Sequence, residues 1–463
     1  MAYSFIGFQT VFIAKNWNPI YWNTACLVVN SGALGNFNEE DEYDDEEQKE
    51  KATDYTKIAK ALGDIISNDI KVSLVNINKS DYSFRPDVEN NQILFGMKAL
   101  SGVGGPIIEQ IIAHRPYTSF TDFMNRCPLN KTAMISLIKG GAFDSLEIDW
   151  ANELKVEPRM LIMVYYLSKI SEPKSKLNLQ NFNGLVQKGL LPNTLDFPKR
   201  VFEFNKYLKA NTKTGKYFVF DEPCHRFYSE FFDMGKLEVI NGYSCIDQKV
   251  WDKIYQREMN PVREWLANHQ EEILKEYNAI LFKETWDKYA QGSIAAWEME
   301  ALCFYYHEHE LANVNIYKYG IDNFFDLPKQ PEVDYFFQRN GKQIPIYKTH
   351  KIIGTVISKN DTKATVTLLT PQGAVPVKFT KEYYAMFARQ LSERQEDGSK
   401  KVVEKGWFKR GTKLMITGMR RDDQFVAKTY SKTATHQIYK IDLVNDGQDM
   451  ILTHERYGQG EEE

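Results

Sequence analysis

The sequence predicts a multidomain α+β protein, helical over roughly its first three-quarters and carrying a small β-barrel near its C-terminus. Three observations predict it. The 463 residues allow about three or four domains of ordinary size. Through most of the chain the apolar residues fall at helical spacing or in runs that are apolar all round. From Ile352 the period changes to short β-rich runs parted by turn residues.

Composition narrows the function classes. Hydrophobic residues make up 43% and aromatics 13%, enough for real cores, which excludes wholesale disorder. No apolar run reaches the roughly 18–20 residues of a membrane span. The longest, Tyr3 to Ala14, stops at Lys15 and lacks the basic leader of a secretory signal, so a cytoplasmic location and no membrane partner are expected. The five cysteines form no CxxC pair, which argues against a disulfide framework or a structural zinc site. The net charge of −4 does not exclude a polyanionic partner, because the distribution of charge decides that.

Two segments stand apart in charge. Nine of the twelve residues from Glu39 to Glu50 are acidic, a self-repelling block that reads as a solvated loop between helices. Thr349 to Lys440 holds 18 Lys+Arg and 8 Asp+Glu, an excess of +10 interleaved with strand-like runs. That pattern suits a folded module with a positive groove. Glu461, Glu462 and Glu463 read as an exposed acidic tail.

The elements follow in order. Tyr3 to Ala14 predicts a largely buried helix, and Ile20 to Val29 a second one after the Asn18-Pro19 break. Asp54 caps a helix reaching about Ile66. Val72 to Ile77 and Asn91 to Gly96 predict short strands. Gly102-Val103-Gly104-Gly105-Pro106, with Ile107, Ile108, Ile111 and Ile112 behind it, has the form of a helix-hairpin-helix turn. Glycines allow positive φ and close backbone approach. Pro106 fits the first helical turn, where a missing N–H costs nothing. The free N–H groups of that turn can meet a DNA phosphate. A plain helix–helix turn has the same spacing, and spacing alone leaves both readings open. Asn130 to Ile138 predicts a further helix, closed by Lys139-Gly140-Gly141. Residues 150–295 are helical and rich in Tyr, Trp and Lys, with no sharp chemistry.

Five strands and one helix then fill about 80 residues. Ile352 to Ile357, Thr365 to Leu369 and Val375 to Phe379 come first, then a helix from Glu382 to Leu391. Thr412 to Thr417 and Gln424 to Thr429 complete the set. This order matches the five-stranded OB-fold barrel, which binds single strands by pairing cations with stacking aromatics. Trp407, Phe408, Lys409, Arg410, Lys413, Arg420 and Arg421 are the candidate binders. The other reading makes Trp407 and Phe408 core residues and the cations a solvated face. His307, Glu308, His309 and Glu310 are of metal-ligand type, but their alternation spreads them around a helix, so no metal site is expected. No catalytic residue is assigned.

Several stretches together resemble the C-terminal half of a bacterial-type (C-family) DNA polymerase III alpha subunit. Ala2 to Lys15, with Trp17 and Pro19, is similar to that family's fingers pattern A-Y-x-x-I-x-Y-Q-T-A-Y-L-K. Asn78 to Phe84 resembles I-N-x-S-D-Y-x-F, and Phe95 to Gly104 resembles F-G-L-x-A-I-K-G-V-G. Leu137 to Asp144 follows L-I-x-x-G-A-F-D, and Glu298 to Leu311 resembles E-x-E-x-L-G-F-Y-L-S-G-H-P-L. The matches are collinear over about 1–150 and 295–430.

The resemblance implies a DNA-binding portion of a replicative polymerase, a nucleotidyltransferase working on primer–template duplex and single-stranded template. Gly102, Gly104 and Gly105 become duplex-backbone contacts, with Lys98 and Lys139 adding phosphate contacts, and Tyr3, Gln9 and Lys15 lie on the fingers helix. Catalysis in the family uses paired palm aspartates holding Mg2+. The palm lies upstream of the fingers pattern, the chain opens inside that pattern at Met1, and no Asp-x-Asp occurs. A split enzyme of phage type is therefore expected: no cofactor in this chain, and Mg2+ in a separate palm-containing chain. A sliding clamp is a further partner of the family. The nearest clamp-peptide strings, Gln180-Asn181-Phe182 and Gln92-Ile93-Leu94-Phe95, fit poorly and are not assigned. The alternative is a stand-alone, non-enzymatic replication or repair factor with the same two DNA-binding modules.

These readings divide the chain into distal fingers helices over 1–90 with an acidic loop at 36–53, and a helix-hairpin-helix region over 91–150. A mostly helical middle covers 151–345, the OB-fold domain 346–445 and the acidic tail 446–463.

Overall fold

The computed structural model describes residues 2–17, 19–33, 53–67, 70–210, 216–339, 341–394, 400–428, 438–454 and 456. The side chain of Tyr3 and all but one residue of the 36–53 loop lie outside the described residues, as does the Glu461–Glu463 tail. The chain divides into two compact units, one made of residues 1–163 and 292–463 and the other of residues 164–291.

The larger unit begins with helices Ala2–Trp17 and Pro19–Ser31. The first was expected to be largely buried. Instead Val11, Phe12, Ile13 and Trp17 are exposed, Trp17 at 76%. The second buries Ile20, Thr24 and Leu27. Asp54 accepts the Lys57 N–H at 3.2 Å, at the start of the expected helix, Tyr55–Ser67. Strand Val72 to Ile77 shrinks to Lys71–Val72, because Asn76 Oδ1 accepts the N–H groups of Asn78 and Lys79 and turns the backbone away. Gln92–Leu94 is the second short strand and pairs parallel with the first.

Helices Gly105–Ala113, Phe120–Arg126 and Lys131–Lys139 follow. Ser119 and Asn130 cap the latter two through side-chain oxygens, as their residue types favour. Phe123 meets Phe143 edge-on at 4.8 Å and Tyr117 at 4.8 Å, which packs the three helices around one aromatic centre.

The C-terminal barrel has five strands, His350–Asn360, Thr365–Thr370, Gly373–Lys378, Lys413–Arg421 and Gln424–Ala427. The first pairs with the second and the fourth, the third with the second, and the fourth with the fifth, all antiparallel. A parallel pairing of the third with the fifth closes the ring. This is the OB-like closure the element order implied. Ile352, Val356, Val366, Leu368, Val377, Leu414, Ile416 and Phe425 fill it. Gly354 sits where a Cβ would come within 2.9 Å of Leu368 Cβ, so a side chain there would push the first strand off the second.

Three features depart from the expected elements. The helix after the third strand is Lys381–Ala388, and an extra hairpin, Leu391–Arg394 with Lys400–Glu404, precedes the fourth strand. Strands Ile438–Val444 and Asp449–Thr453 extend the sheet from the fourth strand, so part of the expected tail is structured. Residues 333–347, of which 333–345 were expected in the helical middle, form an antiparallel hairpin of Val333–Arg339 and Lys342–Tyr347.

The second unit, residues 164–291, is helical around a small three-stranded antiparallel sheet. Its core gathers Phe204, Leu208, Phe220, Tyr228 and Trp251. The Trp251 indole N–H donates to Asn205 Oδ1 at 2.9 Å, satisfying both buried polar groups.

Candidate nucleic-acid interface

The hairpin-helix turn is built around Gly102, Gly104 and Gly105. Gly102 lies at φ +83, a conformation that favours glycine. Gly104 is the N-cap of helix Gly105–Ala113, with extended backbone, no side-chain cap and Pro106 in the first turn. The Ile107 and Ile108 N–H groups both reach the Gly104 carbonyl, at 3.1 and 3.2 Å, and Pro106 has no N–H, so the Gly105 N–H is the one donor of that turn left for an outside acceptor. Gly102 and Gly104 are exposed while Gly105 is buried, and Ile108 and Ile111 anchor the helix inward. A Cβ on Gly104 would meet only Pro106 Cδ at 4.0 Å, so the surface there is open. An anion can approach the partial positive end of this helix without displacing a side chain.

The two lysines expected beside the turn are placed differently. Lys98 is buried, its Nζ 5.8 Å from the Tyr82 ring centre. Lys139 is also buried, with its Nζ on Glu300 at 2.5 Å. Neither offers a free cation to a phosphate. Sequence reasoning passed over Lys131 and Thr132, which are exposed at the start of helix Lys131–Lys139. The methyl of Thr132 lies 3.4 Å from where a Gly102 Cβ would sit, so this helix start borders the turn.

A charged node lies at the end of helix Lys131–Lys139. Arg159 contacts Glu298 at 2.9 Å, Asp144 at 2.7 Å and the Lys139 carbonyl at 3.2 Å. Glu298 Oε2 accepts the N–H groups of Tyr306 and His307 at 3.0 Å each, and its Oε1 lies 2.6 Å from His307 Nδ1. His309 is fixed separately: Nε2–H donates to the Leu369 carbonyl and Nδ1 accepts the Leu311 N–H, both at 3.0 Å. Burial pushes its pKa down to about 4, so it is neutral at pH 7. Among the described residues no group of three His, Cys, Asp or Glu is arranged to hold a metal ion. At this node Asp144 and Glu298 are turned onto Arg159 rather than onto a shared cation position.

On the barrel the candidates divide. Trp407 and Phe408 are buried and plug one end of the barrel, Trp407 against Phe387 and Phe408 against Phe379, each at 5.0 Å. They cannot stack on bases. Arg420 is also inward: its guanidinium donates to the carbonyls of Phe324, Phe325, Leu327 and Asp422 at 2.9–3.0 Å. Arg410 lies over the Tyr55 ring at 4.2 Å, and Lys413 pairs with Glu310 at 3.1 Å. Lys409 and Arg421 remain exposed. Lys359 and Lys363, exposed at the connection between the first two strands, were not anticipated. On the fingers helix Gln9 and Lys15 are exposed. Among the described residues no helix is long and apolar enough to cross a membrane.

A helix-hairpin-helix turn and an OB-like barrel on one chain are two modules of the kind that contact nucleic acid. Residues 69–152 match the model of a helix-hairpin-helix motif. The chain is 39% identical over 98% of its length to a probable DNA polymerase, YorL, of Bacillus subtilis strain 168, and equally to a DNA-directed DNA polymerase of Bacillus phage SPbeta. It spans 35% of each of those relatives. It is also 29% identical over 151 residues to the DNA polymerase III alpha subunit of Deinococcus radiodurans, covering 31% of this chain and 10% of that one. The resemblance to the C-terminal part of a DNA polymerase III alpha subunit, in a phage-related form, therefore stands.

Proposed function

We propose that this chain is the DNA-gripping part of a replicative-type polymerase and that it works with a separate palm-containing chain, in the bacterial cytoplasm. The palm supplies Mg2+-dependent nucleotidyl transfer. The chain described here holds the primer–template duplex at the Gly102–Gly105 turn and the single-stranded template along the barrel. The observation that carries this reading is the uncapped, open helix start at Gly104 within a chain related to polymerases over nearly its whole length. A second observation supports the palm-containing partner. Val11, Phe12, Ile13, Trp17, Tyr21 and Val29 are large apolar residues exposed on the first two helices, more than a free surface normally leaves uncovered. The palm-containing chain is the proposed cover.

Primer extension tests it. The chain is mixed with a palm-containing polypeptide that ends near the fingers pattern, with Mg2+, and synthesis is measured for each alone and for both. Synthesis only in the mixture is expected. Absence of both complex and synthesis would remove the reading.

A further inference from the structure

The hairpin Val333–Arg339/Lys342–Tyr347 has no role in either DNA-binding module, and its chemistry is unusual for a surface ribbon. All seven residues of its first strand are exposed. Tyr335 is 56% and Phe337 52% exposed. Side chains alternate along a strand, and paired residues share a face. The register pairs Tyr335 with Ile346, Phe337 with Ile344 and Arg339 with Lys342. One face therefore carries two aromatic rings and ends in two cations, while Phe336 and Gln338 point the other way.

Arg339 and Lys342 stand directly opposite each other. Like charges so placed destabilise a ribbon unless an anion lies between them. The base of the hairpin is tied to the turn between the fourth and fifth barrel strands. The Asp422 N–H donates to the Lys329 carbonyl at 2.6 Å and Gln330 Nε2 to Asp422 Oδ1 at 2.8 Å. The Arg421 guanidinium lies 6.0 Å from the Tyr347 ring centre. In barrels of this type that turn borders the nucleic-acid groove.

We propose that this hairpin is an additional binding site for single-stranded DNA, a stacking arm that prolongs the barrel's strand path. Tyr335 and Phe337 are about 6.7 Å apart along the strand, roughly twice the base repeat, and so suit alternate bases. Arg339 and Lys342 take the phosphates. An apolar protein surface would have to bury both cations, and a duplex hides its base faces; a single strand offers both bases and charge. The proposal rests on the chain being a DNA-gripping polypeptide.

The test uses the full chain and fluorescence anisotropy with labelled dT20 and with a 20-base-pair duplex. Tyr335→Ala with Phe337→Ala should weaken dT20 binding by about tenfold or more and leave duplex binding unchanged. Arg339→Gln with Lys342→Gln should lower the slope of log affinity against log salt by about 1.4. Phe336→Ala, on the opposite face, should change neither. Since all these side chains are exposed, melting curves should coincide; should the aromatic pair fail to fold, the charge pair carries the test. Unchanged dT20 affinity in both paired variants overturns the proposal. So does a hairpin variant that turns a self-associated chain monomeric in light scattering at unchanged dT20 affinity. Intact duplex binding in those cases leaves the reading above standing, whereas an unaltered chain that binds neither probe overturns both.

Discussion

Arg159 and Glu298 form an ion pair at 2.9 Å across 139 residues of sequence, with side-chain exposures of only 2% and 0%. The pair joins the stretch just after the helix-hairpin-helix segment to the segment that leads into the barrel, both within the larger unit. Removing one partner of a buried pair strands the other charge. Arg159→Met should therefore lower stability by about 3–5 kcal/mol, measured by urea unfolding. Arg159→Lys should recover little of it, because a single ammonium cannot reach Asp144, Glu298 and the Lys139 carbonyl together.

The helix start at Gly104 separates stability from binding. Its backbone, φ −86 and ψ 165, accepts any residue. Gly104→Asp supplies the missing cap and should leave stability unchanged or raise it by a few tenths of a kcal/mol. The same carboxylate repels phosphate, so duplex affinity should fall about tenfold or more in an anisotropy titration at fixed salt. Equal duplex affinity would mean that this turn is only a helix connection.

Arg420 and Arg421 are neighbours with opposite jobs. Arg420→Ala leaves four carbonyl oxygens without their donor and should cost about 2–4 kcal/mol in denaturant unfolding. Lys409→Ser with Arg421→Ser should leave stability within about 0.5 kcal/mol. It should instead reduce the salt slope of single-strand binding by about 1.4.

His309 makes stability depend on pH. Its folded-state pKa is depressed to about 4 from 6.5, so the unfolded chain binds the proton first as pH falls. The contribution is complete above pH 6.5 and is lost as pH falls towards 4. Between pH 7 and 5 this one group should remove about 2 kcal/mol. His309→Gln should flatten that part of the urea-midpoint profile.

The barrel was legible because its strands are β-rich and evenly broken by turns, and the hairpin-helix turn because Gly102 to Pro106 is a local chemical signature. What failed was inference about direction. Trp407-Phe408 beside Lys409-Arg410 looks like a stacking platform, yet only barrel closure decides which side of the backbone faces inward. Lys139 looked free because its partner, Glu300, is 161 residues away. An all-round apolar first helix says that cover is needed, without saying that the cover lies in the same fold. The hairpin at 333–347 escaped because Tyr335-Phe336-Phe337 does not alternate and Pro345 interrupts its second strand.

Residues 164–291 interrupt a unit whose two halves must meet. On a translating ribosome Arg159 emerges long before Glu298, so their pairing waits for the intervening stretch to be synthesised. That stretch has its own contiguous core and can finish folding first. The order of assembly then runs from the inside of the sequence outward, and until Glu298 arrives Arg159 has Asp144 and the Lys139 carbonyl as its partners at this node.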